Sequence, residues 1–360
     1  MAKLAGLRQD TMTPSERMDA LFAGKTVDRV PHFNFLNSIS AANTGMTRGE
    51  FYSDVERNFW AQVKTQEQYG YCGYPIYWFA VMSTWDYGGE IRWPEGDEQA
   101  PQVVRFPVNS VEDAEKLELP DVKTAGTLPI MMAFSTLQQQ QKMRILYSGG
   151  GPVTILNLAN PQLLLPWMKK KPELVHRLCR LTTDFTLKVA KHWVDTFGAE
   201  TVMPFFVQGG TMANLISLQR FEQFLFPYWQ EIHEKLLGMG IKNMLFHVCG
   251  TTEDALPLLA QLPAGTSEKP GIATCPHNIN LEEFVKYFGD KCIVAGNIEP
   301  AQIMLNSPEH IYELCKEAIQ KGKSSPRGFM LSAGCEIPPL SSPYNIYTMN
   351  KAVRDFGWYD

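Results

Sequence analysis

From about Ile145 onward the chain alternates short apolar runs with longer stretches of helical period. The runs Arg144–Tyr147, Thr201–Val207, Asn243–Val248, Gly271–Thr274, Cys292–Ala295 and Gly328–Ser332 are too short to be ordinary helices. Between them, Pro172–Phe197, Leu218–Gly238, Glu253–Leu262, Leu281–Phe288 and Pro308–Gly322 are amphipathic at helical spacing. Strand alternating with helix is the pattern of βα units on a parallel sheet. It predicts an α/β fold, a single (β/α)8 TIM-type barrel, with an open doubly wound sheet as the competitor.

The N-terminal third reads differently. Thr13-Pro14-Ser15-Glu16 has capping-box spacing with proline in the first turn, so a helix starts there and stops near Gly24. Val30–Phe35 looks extended, Val103–Pro107 belongs to an early strand or hairpin, and the acidic stretch Ser110–Asp121 is a short surface helix and linker. With no internal repeat and no convincing linker, residues 1–360 form one barrel domain. Residues 1–125 supply a helical elaboration and the first barrel elements, and 126–360 the remaining barrel.

Composition narrows the partners. In 360 residues, 44% are hydrophobic and 20% charged, enough to build a large core and unlike a disordered chain. The net charge of −5 argues against nucleic acid. The opening MAKLAGLRQDTM has no apolar core of an export signal, and the most apolar stretch, Thr154–Met168, is broken by Pro161 and Pro166. No membrane partner is expected. Seven cysteines, an odd and scattered set, fit a reducing cytoplasm better than a disulfide scaffold. Oligomeric state, a homo-oligomer included, is open at this level.

The sharpest chemical feature is Asn243–Gly250, an apolar run ending in His247-Val248-Cys249. Residues two apart in a strand share a face, so His247 and Cys249 point the same way at the C-terminal end of a barrel strand, where such enzymes keep their sites. Cys335 follows another apolar run, just after Gly334 and before Pro338-Pro339. Strand C-termini meet at one rim, so His247, Cys249 and Cys335 could converge as three metal ligands with one position free, the pattern of a catalytic zinc. The alternative is a core histidine beside inert thiols.

Other candidates surround that set. The aromatic-rich stretch Tyr71–Phe79 offers Tyr77 and Trp78 as walls for a small substrate. Gln208, ahead of Gly209-Gly210, and Asn278, in Cys275-Pro276-His277-Asn278, are candidate substrate contacts. Gly149 and Gly150 would allow close approach of a large cofactor. Glu299 could orient a zinc-bound imidazole or serve as the fourth ligand. Lys169–Lys171 and Gln138–Gln141 read as solvated faces.

Several segments together resemble the uroporphyrinogen decarboxylase superfamily, and within it the zinc-containing methyltransferases that work with corrinoid proteins. These are Thr13–Arg17 through Val27–Pro31, Gly149–Thr154, Leu215–Ser217 through Phe224–Tyr228, and Ala295–Pro300. His247-Val248-Cys249-Gly250 and Gly334-Cys335-Glu336-Ile337-Pro338-Pro339 mark the methyltransferase branch. The resemblance implies a zinc-dependent transfer of methyl from a small donor to cob(I)alamin on a separate corrinoid protein. A methoxylated aromatic undergoing O-demethylation suits the aromatic-rich stretch. The reverse half, from methylcobalamin to a thiol such as coenzyme M or to tetrahydrofolate, is the near alternative. No cobalamin-binding Asp-x-His-x-x-Gly pattern is present, so the corrinoid would arrive on a partner.

Porphyrinogen decarboxylation fits poorly. The family's arginine-rich loop grips substrate carboxylates, whereas Val30–Ala41 reads VPHFNFLNSISA without an arginine. The family's central aspartate should fall near Tyr77–Val81, and YWFAV holds no carboxylate. A non-enzymatic ligand-binding barrel is the remaining alternative.

Overall fold

The computed structural model describes residues 8–96, 100–208, 216–250 and 252–359. A two-stranded antiparallel hairpin, β1 (Glu90–Arg92) with β2 (Gln102–Arg105), precedes a parallel sheet. That sheet runs β3 (Ile145–Ser148), β4 (Val202–Gln208), β5 (Leu245–Val248), β6 (Gly271–Thr274), β7 (Cys292–Ile298) and β8 (Phe329–Ala333), each pairing with the next. Helices cover its outer face, giving the α/β barrel of TIM type expected from the alternating pattern.

Alternation divides the strands into two packing faces. Leu146, Met203, Phe205, Leu245, Ile272, Ile293 and Met330 form one buried cluster with Met18, Leu21 and Phe22 of the first helix, Pro14–Phe22. Phe206, Phe246, Val294 and Phe329 join the larger cluster built with the surrounding helices. The first helix starts as its sequence dictates, with Thr13 and Glu16 forming a reciprocal capping box and Pro14 in the first turn. Arg17, fully buried, is clamped by Asp28 through Nε–Oδ1 at 2.6 Å and Nη2–Oδ2 at 2.8 Å.

Among the described residues the barrel sheet has six regular strands, not eight. The first two barrel positions are extended segments that pair only locally. Phe33 N donates to Leu331 O at 2.9 Å and Leu331 N to Pro31 O at 3.0 Å, so residues 31–33 lie against β8. Cys72 N then donates to His32 O at 2.7 Å. Toward β3 the link is a side chain: Gln138 Nε2 donates to Pro75 O at 2.8 Å and Leu146 O at 3.0 Å. Pro31 and Pro75 have no N–H to give, which interrupts a regular ladder at both segments. Gln138 is therefore fully buried and not part of a solvated face, while Gln139–Gln141 are exposed.

Two helical expectations change in detail. Leu218–Gly238 is broken at Leu225, just before Pro227, into Leu218–Phe224 and Phe226–Gly238. Glu253–Leu262 shortens to a 3-10 turn and the helix Leu256–Leu259.

Candidate metal centre

β5 ends at Val248, placing His247 inside the barrel mouth and Cys249 just beyond the strand. β8 ends at Ala333, and Gly334 N donates to Ile298 O at 2.8 Å, carrying the chain into Cys335. One ligating atom from each of His247, Cys249 and Cys335 lies within 4.8 Å of the others. Cys335 Sγ is 3.4 Å from His247 Nε2. Tetrahedral zinc bonds of roughly 2.0–2.3 Å separate neighbouring nitrogen and sulfur donors by about 3.5 Å, so the donor set fits zinc in type and the His247–Cys335 pair fits it in spacing.

The imidazole is held from behind. Nδ1 of His247 lies 2.8 Å from Thr274 Oγ1 on the neighbouring strand, whose register pairs the two residues. That bond directs Nε2 to the cluster and is the kind of outer contact that fixes a metal-binding histidine. Around it stand aromatic rings: Phe35 meets the imidazole edge-on at 5.1 Å, Phe205 lies at 6.3 Å, and Trp78 packs edge-on against Phe205 at 5.7 Å.

All seven cysteines are free, and only Cys249 and Cys335 are not fully buried. Burial pushes the other thiols up, Cys292 to about 12. In the site, the hydrogen bond from Cys335 lowers the Cys249 thiol. The same bond, followed by burial, raises Cys335 to about 12. Cys249 is thus the more acidic thiol of the pair, because its neighbour's S–H favours its charged form.

Several other expected contacts go elsewhere. Gln208 faces the helices: it is fully buried, and its Nε2 donates to His233 Nε2 at 2.6 Å. Its strand neighbour Val207 pairs with His247, so Gln208 takes the opposite face. Gly209 and Gly210 lie outside the described residues, as do Leu215 and Thr251. Tyr77 is buried in the outer core with its hydroxyl on Tyr52 O at 2.7 Å.

Glu299 is not in the three-residue cluster; it precedes the helix Pro300–Leu305, and its carboxylate accepts from Gln302 at 3.2 Å. The imidazole-orienting part is taken by Thr274, which the sequence reading passed over. Its signal was its place as the last residue of a strand beside the His247 strand.

Asn278 is exposed on a rim loop whose His277 backbone packs against Gly334, beside Cys335. Gly149 and Gly150 form the turn after β3. A Cβ at Gly149 would overlap the Phe206 ring, and Gly150 has φ +73°. Packing and backbone conformation therefore account for both glycines.

An α/β barrel carrying a His/Cys/Cys donor cluster at the C-terminal ends of its strands is the class that fold and site define. The model of the uroporphyrinogen decarboxylase (URO-D) family matches residues 13–356, and the chain belongs to that family.

Within the family, the likeness extends end to end to corrinoid-linked methyltransferases. The methylcobamide:CoM methyltransferase MtbA of Methanosarcina acetivorans is 22% identical over 354 residues, covering 96% of this chain and 98% of that protein. A uroporphyrinogen decarboxylase of Coxiella burnetii is also 22% identical, but over 71% of this chain and 70% of its own. A solved methyltransferase from Methanosarcina mazei superposes with a TM-score of 0.79 at 20% identity, over 96% of this chain and 98% of that one. That superposition supports the fold.

Proposed function

We propose that the protein is a zinc-dependent methyltransferase that moves methyl from a small donor, of the methoxylated-aromatic class, to cob(I)alamin carried on a separate corrinoid protein. The observation that carries this reading is the convergence of His247 Nε2, Cys249 and Cys335 beside the Phe35–Phe205–Trp78 cluster. His247, Cys249 and Cys335 would hold the ion, leaving one coordination position open. Bound there, Zn2+ would act as a Lewis acid toward the oxygen from which methyl departs.

The chain's own side chains do the rest. Thr274 keeps Nε2 of His247 turned toward the place the ion would take beside Cys335. Phe35 and Phe205, buried, and Trp78, half-buried, would form an apolar wall for a flat aromatic donor and limit water beside the ligands. The net transfer breaks the O–CH3 bond, forms a carbon–cobalt bond on the acceptor, and leaves a phenol after protonation. Asn278 on the rim loop, and Gly149 and Gly150 in the turn after β3, are the proposed places for polar substrate contact and close corrinoid approach.

The end-to-end likeness to methylcobamide:CoM methyltransferases favours a second reading, transfer from a methylated corrinoid to a thiol. Single-turnover assays separate the two. Appearance of methylcobalamin from cob(I)alamin and an aryl methyl ether supports the first. Loss of methylcobalamin only when a thiol is added supports the second, and no transfer in either direction by zinc-loaded protein overturns both.

A further inference from the structure

The turn that presents Cys335 is gripped on both sides by one short N-terminal segment. Ahead of the cysteine, Ala333 N donates to Asn34 Oδ1 at 2.8 Å. Behind it, the Glu336 carboxylate accepts from Ser38 N at 2.8 Å and, through the same oxygen, from Ser38 Oγ. Between the two grips sits Phe35, edge-on to the His247 ring. The segment is itself well fixed: Asn34 Nδ2 donates to His32 Nε2 at 2.9 Å, and Asn37 Nδ2 to Trp78 O at 3.3 Å. His32 is fully buried and held neutral by that burial, which leaves Nε2 an acceptor and turns Asn34 Oδ1 toward Ala333.

We infer that Asn34–Ser38 is a positioning strap for the third metal donor, with Ser38 and Glu336 as positioning residues that set where Cys335 Sγ stands relative to His247 and Cys249. The inference rests on the zinc reading above and deepens it. The last bond to β7 is Gly334 N to Ile298 O, one residue short of Cys335, so the cysteine itself lies beyond the ladder. Its sulfur position is therefore only as definite as the bonds on either side. The strap supplies those bonds from a segment distant in sequence, so donor geometry depends on docking of the N-terminal region onto β8.

The test uses the full chain stripped of metal and titrated with Co2+, whose thiolate absorption and d–d bands report donor number and geometry. The proteins compared are wild type, Ser38→Ala, Glu336→Ala and Glu336→Gln. Ser38→Ala keeps the backbone amide bond, and Glu336→Gln keeps an acceptor oxygen. Wild type is expected to bind one Co2+ with two-thiolate absorption. The alanine variants should bind it about tenfold more weakly with shifted d–d bands, and Glu336→Gln should recover most of the loss. The Ser38→Ala/Glu336→Ala double variant should be no weaker than Glu336→Ala alone. Alanine variants that melt earlier yet keep the wild-type spectrum and affinity overturn the strap.

A second readout needs no metal. Diamide oxidises the Cys249 and Cys335 thiols to a disulfide and takes up their two hydrogens, and peptide mapping gives the rate. The strap predicts slower closure in both alanine variants, and equal rates overturn it. A wild type that takes up no cobalt yet shows this difference in rate defeats the zinc reading while leaving the strap standing.

Discussion

Nδ1 of His247 and Oγ1 of Thr274 stand 2.8 Å apart across adjacent parallel strands. One ring nitrogen is committed to the scaffold, so only the other is free for the donor cluster. Thr274→Val removes that partner at nearly constant volume. Zinc affinity is expected to fall by about 10- to 100-fold while Thr274→Ser stays close to wild type. Competition against a chromophoric chelator measures both; an unchanged affinity in the valine variant would show that the ring is oriented by something else.

Cys335 is partly exposed and lies beyond its strand, so its loss should spare the fold. Cys335→Ala is expected to purify with far less than one zinc per chain, to keep its far-ultraviolet circular dichroism, and to lose methyl transfer by at least about 100-fold. Chelator treatment of the wild-type protein should give the same folded, inactive state, restored by added zinc. Full transfer activity in the substituted or metal-free protein would remove the cluster from the chemistry.

Gln208 separates a structural role from a substrate role. Its Nε2 bonds His233, whose ring burial pushes down to about 4 and whose Nδ1–H donates to Pro263 O at 2.6 Å. Gln208→Leu leaves His233 Nε2 buried without a donor, at a cost of about 1–3 kcal/mol in unfolding free energy. KM for the methyl donor should be unchanged. A raised KM with unaltered denaturation would restore Gln208 to the substrate site.

These cases show what the sequence made legible. Leu281–Phe288 and Pro308–Gly322 form at the expected bounds, and both begin behind a capping side chain, Asn280 and Ser307. Their ends were written locally. The convergence of His247, Cys249 and Cys335 was legible because strand parity and a common rim are enough to bring them together.

Gln208 needed more, since which face a residue takes depends on register against the next strand, and one chain's periodicity does not contain it. The first two barrel positions were hidden for a related reason: their backbone partners include side chains, Gln138 and Asn34, that no strand pattern announces. Val30–Ala41 could be read for an extended start and for its lack of arginine, and for nothing about the site. That Asn34 and Ser38 within it bracket Cys335 is visible only once β8 lies alongside.

Arg17 and Asp28 give the fold an acid-sensitive clamp. Burial alone would raise the Asp28 carboxyl, but the hydrogen bonds and charge of Arg17 prevail and hold it down at about 2. Because the folded value lies below the unfolded one, near 3.8, this contribution is complete above about pH 4 and is lost as pH falls toward 2. The shift corresponds to about 2 kcal/mol. Urea unfolding at pH 6, 4 and 3 should show the loss in wild type and a smaller dependence over that interval in Asp28→Asn. Equal acid sensitivity in the two proteins would assign the loss to other carboxylates.

Asp86 works in the opposite direction. It is buried beside the start of the helix Leu128–Gln140, where its Oδ1 accepts from Thr127 N at 2.7 Å and Thr127 Oγ1 at 2.8 Å. Burial raises the carboxyl to about 7, more than the Thr127 bonds lower it. A folded value above the unfolded 3.8 means that its contribution is whole below about pH 4 and is lost as pH climbs to 7 and beyond. Asp86→Asn keeps an acceptor oxygen for Thr127 and carries no charge to bury. It should therefore flatten the decline in unfolding free energy between pH 5 and 8 and be the more stable protein at pH 8. An Asp86→Asn protein that declines over this interval as steeply as wild type would show that the carboxylate is already ionised at pH 5, so that the Thr127 bonds outweigh burial.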